Sequence, residues 1–312
     1  MTQTKVPAST VAKATAGAPR RGRSTMQRLL LLTIIFLVFF VTLFPFYWML
    51  RTALSNGKSL PSNPSSLLPA DFTLGAFKRV LGFSTVEQAQ AEGGSGADID
   101  FWLYLKNSVI VSVAITFGQV LFSAMAAYAF ARMRFPGRDK IFALFLAALM
   151  IPGIFTMMPN FLLIKQLGLL NTLTGIVLPF FFMTPFAIFF LRQFFLGINR
   201  EIEEAATIDG AGHFRIFLRI VLPMSSAPVF TLVILTYIGA WNEYFWPLIV
   251  ASDEKARVLT VALGVFQSQT PQGAPDWPGL MAATLVAALP IVILFAIFGK
   301  KIVNNIQFSG IK

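Results

Sequence analysis

The chain has 312 residues, 56% of them apolar and 12% charged, with a mean hydropathy of +0.71. A soluble domain carries about twice that share of charge, so this is the composition of an integral membrane protein, and the formal net charge of +11 is read as basic residues anchoring loops at one membrane face, with no nucleic acid as partner. With no cysteine and a single histidine, His213, disulfides, thiol catalysis and a histidine-based metal site are excluded, and no catalytic residue, metal or cofactor is expected.

Residues 1–28 hold Lys5, Lys13, Arg20, Arg21, Arg23 and Arg28 and no acid, among Ala, Ser, Thr and Pro. This predicts a disordered basic tail, although an organellar transit peptide has a similar composition. Leu29 to Leu50 is uncharged and long enough to span a bilayer. It is too long for a cleaved signal peptide and no small-residue cleavage site follows, so it is expected to remain as the first transmembrane helix. Residues 51–107 form the longest hydrophilic stretch, an extracytoplasmic loop. Pro61, Pro64 and Pro69 mark its first part, and Glu87 to Asp100, with Gly93-Gly94-Ser95-Gly96, reads as a flexible insertion. Its acids lack the spacing of a calcium loop.

A core of five further spans is expected over residues 108–303. Ser108 to Ala131 is the second span, with Gly118 and Ala124 to Ala127 as close-packing positions. A basic turn from Arg132 to Lys140 follows. Ile141 to Ile164 is the third span, interrupted by Pro152, Gly153 and Pro159. The fourth runs from about residue 173 to Leu191 and contains Pro179 and Pro185. A central loop covers residues 192–222, the fifth span runs from Pro223 to Val250, and the sixth from Gly279 to Gly299. Residues 304–312 form a short terminal tail.

Six spans leave both ends on one side. Six Lys/Arg lie in the N-terminal tail, four in Arg132 to Lys140, four in Arg192 to Arg219 and three in Lys300 to Lys312, which is 17 of the 25 in the chain. The positive-inside rule therefore puts both termini, and the central loop with them, in the cytoplasm.

The central loop is the most informative stretch. Glu201, Glu203 and Glu204 suit the positive end of a short helix. Ala205 and Ala206 have no bulk and allow another surface to approach closely. Gly210 and Gly212 permit a sharp turn. Arg215 and Arg219 share one face of a second helix, with Phe214, Phe217, Leu218 and Val221 on another. Pro223 suits the first turn of the next membrane helix. Glu204-Ala205-Ala206, then Thr207, Ile208, Asp209 and Gly210, and after nine more residues Ile220-x-Leu222-Pro223, together resemble the EAA loop of permease subunits of binding-protein-dependent ABC importers. Ala126 to Arg132, Phe135-Pro136-Gly137, Met150 to Gly153, Leu167 to Thr172, Leu191 to Phe195 and Ala240 to Leu248 are similar to maltose-type carbohydrate permeases. The likeness covers about residues 29–312, with Glu87 to Asp100 outside it.

The resemblance implies an all-α polytopic protein of the type I ABC importer permease fold, six-helical, in a bacterial inner membrane. It implies that Glu204, Ala205, Ala206, Asp209, Gly210, Ile220, Leu222 and Pro223 form a coupling loop docking on an ATP-hydrolysing subunit. The implied partners are a second homologous permease, a dimer of ATP-binding subunits, an extracytoplasmic sugar-binding protein and membrane lipid. The chain carries no G-x-x-x-x-G-K-[ST] phosphate loop, so ATP hydrolysis by that route needs a separate subunit. A solitary secondary transporter is the competing reading. That class uses buried charge pairs or relays, and the spans here offer one candidate acid, Glu243.

For the substrate pathway two readings stay open. Trp241, Asn242, Glu243 and Tyr244 offer rings and hydrogen-bonding groups that suit a sugar, or they form an interfacial aromatic belt. Tyr237, one turn before Trp241 on the same face, is expected to lie deeper. Thr156 and Asn160, beside the kinks of the third span, either line a cavity that satisfies freed backbone groups or sit in ordinary helix packing. In the tail, Gln307, Phe308, Ser309 and Gly310 resemble the short segment that in maltose-type permeases reaches between the ATPase subunits; fraying into solvent is the other reading.

Overall fold

A computed structural model describes residues 25–95, 100–264 and 275–308, with 299–308 by backbone alone. No strand occurs among them. Residues 1–24, 96–99, Ser309 and Gly310 therefore lie outside the described residues, and with them most of the expected basic tail. The chain forms two compact units, Met1–Trp48 and Met49–Lys312.

The first unit is most of helix α1 (Thr25–Ala53). An aromatic ladder at i, i+4 spacing runs along it: Phe36 stacks on Phe40, and Phe40 meets Phe44 with centroids 6.1 Å apart.

The second unit is built on the 32-residue helix α4 (Phe101–Arg132). Before α4 come two short helices, α2 (Gly75–Val80) and α3 (Val86–Ala91). After it come α5 (Arg138–Ala148), α6 (Gly153–Gln166), α7 (Leu173–Phe181), α8 (Pro185–Leu196) and α9 (Arg200–Ile208). The chain continues through α10 (His213–Met224), α11 (Ser226–Asn242), α12 (Phe245–Val250), α13 (Leu259–Leu263) and α14 (Trp277–Phe308).

Three described helices, α1, α4 and α14, are long and apolar enough to cross a membrane alone. Three bent pairs complete six spans when each pair counts as one: α5 with α6 at 100°, α7 with α8 at 44°, and α10 with α11 at 82°. The third, fourth and fifth spans are thus not the continuous helices their hydropathy suggests. Pro152, at the start of α6, has no N–H to continue a helix from α5. Thr184 takes extended geometry and caps α8 through Ala187, with Pro185 at the first position. The sixth helix continues to Phe308, past the expected start of the tail at 304.

Small residues let α4 lie close to its neighbours. A side chain at Gly118 would collide with the Phe181 carbonyl and ring. Ala124, Ala127 and Ala131 are buried and pack with Ala187, Leu191 and Phe195 of α8.

The described residues 51–95 before α4 are folded, and Glu87 to Ser95 of the expected flexible insertion are among them. Thr85 and Gln88 form a capping box on α3, each side chain bonding the other's backbone N–H. Glycines there serve close approach as well as freedom: the Gly57 N–H donates to Glu92 O at 3.0 Å, a Cβ on Gly94 would strike the Arg79 guanidinium, and Gly93 sits at φ +75°. Arg79 Nη2 donates to both carboxylate oxygens of Asp276, at 2.9 and 2.7 Å. Asp276 also accepts the N–H groups of Ser95 and Gly279, and so caps α14 while holding α2 against it.

Candidate functional site

The first candidate region runs from the end of α8 to the start of α11. Asn199 caps α9, its side-chain oxygen accepting from the Glu201 N–H at 3.1 Å. Glu201 and Glu203 fill the first turn, where the helix dipole favours carboxylates. Glu203 turns inward and meets Arg132 Nε at 2.7 Å, with both side chains almost buried. Arg132 Nη2 donates to Ile198 O at 2.7 Å. Arg192 donates from Nε to Phe130 O and lays its guanidinium 4.2 Å from the Phe142 ring centroid. Arg132 therefore clamps the loop to the helix bundle, and Arg192 ties α8 to α4 and α5.

The C-terminal end of α9 explains Gly210. Its φ is +82°. The Gly210 N–H reaches Thr207 O at 3.0 Å and the Ala211 N–H reaches Ala206 O at 2.9 Å, which is the Schellman pattern of helix termination. Gly212, with φ −75°, uses no such freedom. Ala206 packs on the core. Glu204, Ala205, Asp209 and Gly210 stay exposed, and Ile208 is 87% exposed.

Beyond the turn, α10 contains a π-helical stretch, Phe217–Val221. Its extra residue breaks the 3.6 period on which the expected apolar face rested. Phe217 and Val221 are buried, while Phe214 and Leu218 are exposed. The Phe217 ring lies 5.3 Å from that of Tyr128 on α4. Ile220 and Leu222 are half-buried on the same core, and Pro223 is exposed. Pro223 sits in the last turn of α10; the long helix starts only after buried Ser225.

The second candidate region is a cleft of about 280 Å³. Residues of α4, α7, α8 and α11 line it, with Glu243 at the break between α11 and α12. That break interrupts the expected fifth span. Glu243 Oε1 accepts the Trp246 N–H at 3.2 Å, and the Glu243 carbonyl accepts from Thr260 Oγ1 at 2.8 Å. The Trp246 indole N–H donates to Ile176 O at 3.1 Å. These bonds anchor the break from three sides. Gln119 and Thr236 are the other polar side chains of the lining. Gln119 Nε2 donates to Thr184 Oγ1 at 3.1 Å.

The residues expected to share a pathway divide. Glu243 lines the cleft. Tyr237 and Trp241 do stack, 5.9 Å apart and 22° from parallel, but both belong to a core with Tyr104, Ala282 and Ala283. Trp241 reaches only a much smaller cavity beside Glu243. Asn242 is exposed and bonds back to Ile238 O. Thr156 bonds to Gly153 O, and neither it nor half-buried Asn160 lines the cleft. Gln119 and Thr236 were missed. Gln119 had a signal: it is the one amide between Ser108 and Ala131. Thr236, a hydroxyl in an apolar run, had none.

Residues 119–307 match the family model for the binding-protein-dependent transport system inner membrane component. The trehalose/maltose transport system permease protein of Thermococcus litoralis is 31% identical over 92% of this chain and 98% of its own. The sn-glycerol-3-phosphate transport system permease protein of Yersinia pestis is also 31% identical, over 93% of this chain and 98% of its own. In fold, the chain is similar to a crystal structure of a bacterial ABC transporter involved in the import of the acidic polysaccharide alginate, with a TM-score of 0.72 at 23% identity over 91% of this chain and 99% of that one. The match runs from Gln119 within α4 into α14 and holds the clamped loop and every cleft-lining residue but Ile115, so the chain belongs to the family of inner-membrane permease components of binding-protein-dependent transport systems.

Proposed function

We propose that this chain forms half of the translocation pathway of an ATP-driven sugar importer and couples to a nucleotide-binding subunit through Glu204 to Gly210. The observation that carries this reading is the loop itself. Its inner side is pinned by Glu203 to Arg132, and its outer side presents Glu204, Ala205, Ile208, Asp209 and Gly210 to solvent. Exposed small residues beside an 87% exposed isoleucine suit docking into a cleft on another protein. The names of similar permeases, trehalose/maltose among them, support a carbohydrate.

In this reading both termini and α9 face the cytoplasm, and the segment 51–107 faces outward, towards a sugar-binding protein. A second homologous permease completes the pathway. Closure of the ATPase dimer pushes on α9, and α4 carries the motion to the cleft, which opens in alternation to either side. The tail from Gln307 to Gly310 adds a second contact with the ATPase subunits. Co-expression with the candidate ATPase and a pull-down tests the assembly. Ala205→Asp puts a charge where a buried contact is expected and is expected to abolish ATPase stimulation by the binding protein without loss of the folded chain. Full stimulation in that variant would remove the coupling assignment.

A further inference from the structure

The cleft carries a charge rule as well as a shape. Among the described residues, Glu243 is the only formally charged one in its lining, which includes no Lys, Arg or His. The carboxylate does not swing freely, because Oε1 holds the Trp246 N–H and the Glu243 carbonyl is held by Thr260. Gln119, fixed by its bond to Thr184, and Thr236 add hydroxyl-bonding groups. The rings of Phe180 and Phe186 supply apolar walls. Gly239 leaves the middle of the cleft open: a Cβ there would meet no heavy atom within 4 Å. At about 280 Å³ the space is near the lower end of small-molecule sites, about 300–1,000 Å³.

We infer that this cleft is a subsite for neutral polyhydroxylated solutes, with the Glu243 carboxylate excluding anionic ones such as sugar phosphates and uronates. The inference rests on the cleft belonging to the translocation pathway. Aromatic walls face the apolar sides of a sugar ring, and Gln119, Thr236 and Glu243 bond its hydroxyls. A phosphate or carboxylate entering the same space meets a fixed negative charge in a low-dielectric setting with no cation in the lining. Coulomb's law at a separation of about 10 Å and an effective dielectric of about 20 makes that repulsion worth on the order of tenfold in occupancy.

Glu243 also caps α12, and a purely structural role for it has to be separated from the electrostatic one. Glu243→Gln does this. The amide oxygen still accepts the Trp246 N–H, so the cap is kept and only the charge is lost.

The chain has no cysteine, so a single introduced thiol reports cleanly. Gly239→Cys is placed in the assembled complex, with partner cysteines replaced, and exposed Ser252→Cys serves as reference. Labelling rates are measured at low salt with a cationic trimethylammonium-ethyl and an anionic sulfonatoethyl methanethiosulfonate, with and without a non-hydrolysable ATP analogue. The cation-to-anion rate ratio in the Gly239→Cys protein is expected to exceed that in the Ser252→Cys protein by about tenfold or more. Adding Glu243→Gln is expected to bring it within about twofold of the reference. Labelling of the cleft thiol, and not of the reference thiol, is expected to change with nucleotide. A ratio equal to the reference, or unaffected by Glu243→Gln, with nucleotide-dependent labelling intact, overturns the charge rule alone. Labelling indifferent to nucleotide overturns the pathway reading and this inference with it.

Discussion

Arg132, the last residue of α4, and Glu203, in the first turn of α9, meet at 2.7 Å with 6% and 12% of their side chains exposed. This pair joins the 32-residue helix α4 to the loop that faces outward from it. Because α4 also carries Gln119 in the cleft, one rigid helix connects the two candidate regions. Breaking a buried pair by removing one partner leaves an uncompensated charge and costs about 3–5 kcal/mol. Arg132→Gln is expected to loosen α9 and to lower binding-protein-stimulated ATP hydrolysis by about 5- to 150-fold, the usual span of inter-site coupling. The exchange Arg132→Glu with Glu203→Arg is expected to recover part of it. Equal activity of wild type and Arg132→Gln would show that the pair carries no coupling.

The two glycines of the turn are expected to behave differently. Gly210 sits at φ +82°, where a Cβ costs about 1–2 kcal/mol. Gly212 sits at φ −75°, which any residue adopts. Gly210→Ala is expected to increase hydrogen exchange across Arg200–Ile208, Gly210→Asn to do so less, and Gly212→Ala to leave it unchanged. Equal exchange in the Gly210→Ala and Gly212→Ala proteins would contradict the Schellman assignment.

The Arg79–Asp276 pair ties α2 to the start of α14 with both side chains buried. Asp276→Ala removes the pairing charge, the Ser95 bond and the cap of α14 together. Its expected cost is at least the roughly 3–5 kcal/mol of a broken buried pair, read as a lower melting temperature of the purified complex. Gly94→Ala is expected to act in the same direction, since its methyl group meets the Arg79 guanidinium. Glu87→Ala, on an exposed face of α3, is the control, expected to stay within about 0.5 kcal/mol.

Trp241 and Asn242 are neighbours with opposite burdens. Trp241 is 4% exposed in a core with Ala282 and Ala283, and truncation of a buried tryptophan costs about 3–5 kcal/mol. Trp241→Ala is expected to reduce the yield of intact complex in size-exclusion chromatography. Asn242→Ala removes only an exposed bond to Ile238 O, and its yield is expected to match wild type. Equal yields for both variants would place Trp241 outside the core.

The sequence alone determined the apolar class, the six stretches of span length and the position of the loop built on Glu204 and Gly210. Each of these is local. Hydropathy is summed over one window, and a helix-ending glycine is recognised by residues within a turn of it. The tertiary structure decided that the fifth span breaks a second time, because the Glu243–Tyr244 step is held by a contact a window does not contain, the Thr260 bond to the Glu243 carbonyl. It also decided facing. Three glutamates in a row of four look alike in sequence, and only the arrival of Arg132 makes Glu203 the inward one and leaves Glu204 exposed. Gln119, Thr236 and Glu243 share a cleft because α4 and α11 pack side by side, and Arg79 finds Asp276 across 197 residues. Such pairings depend on which helices become neighbours, a property of packing small residues such as Gly118 and Ala127 against large ones, and no local period records it.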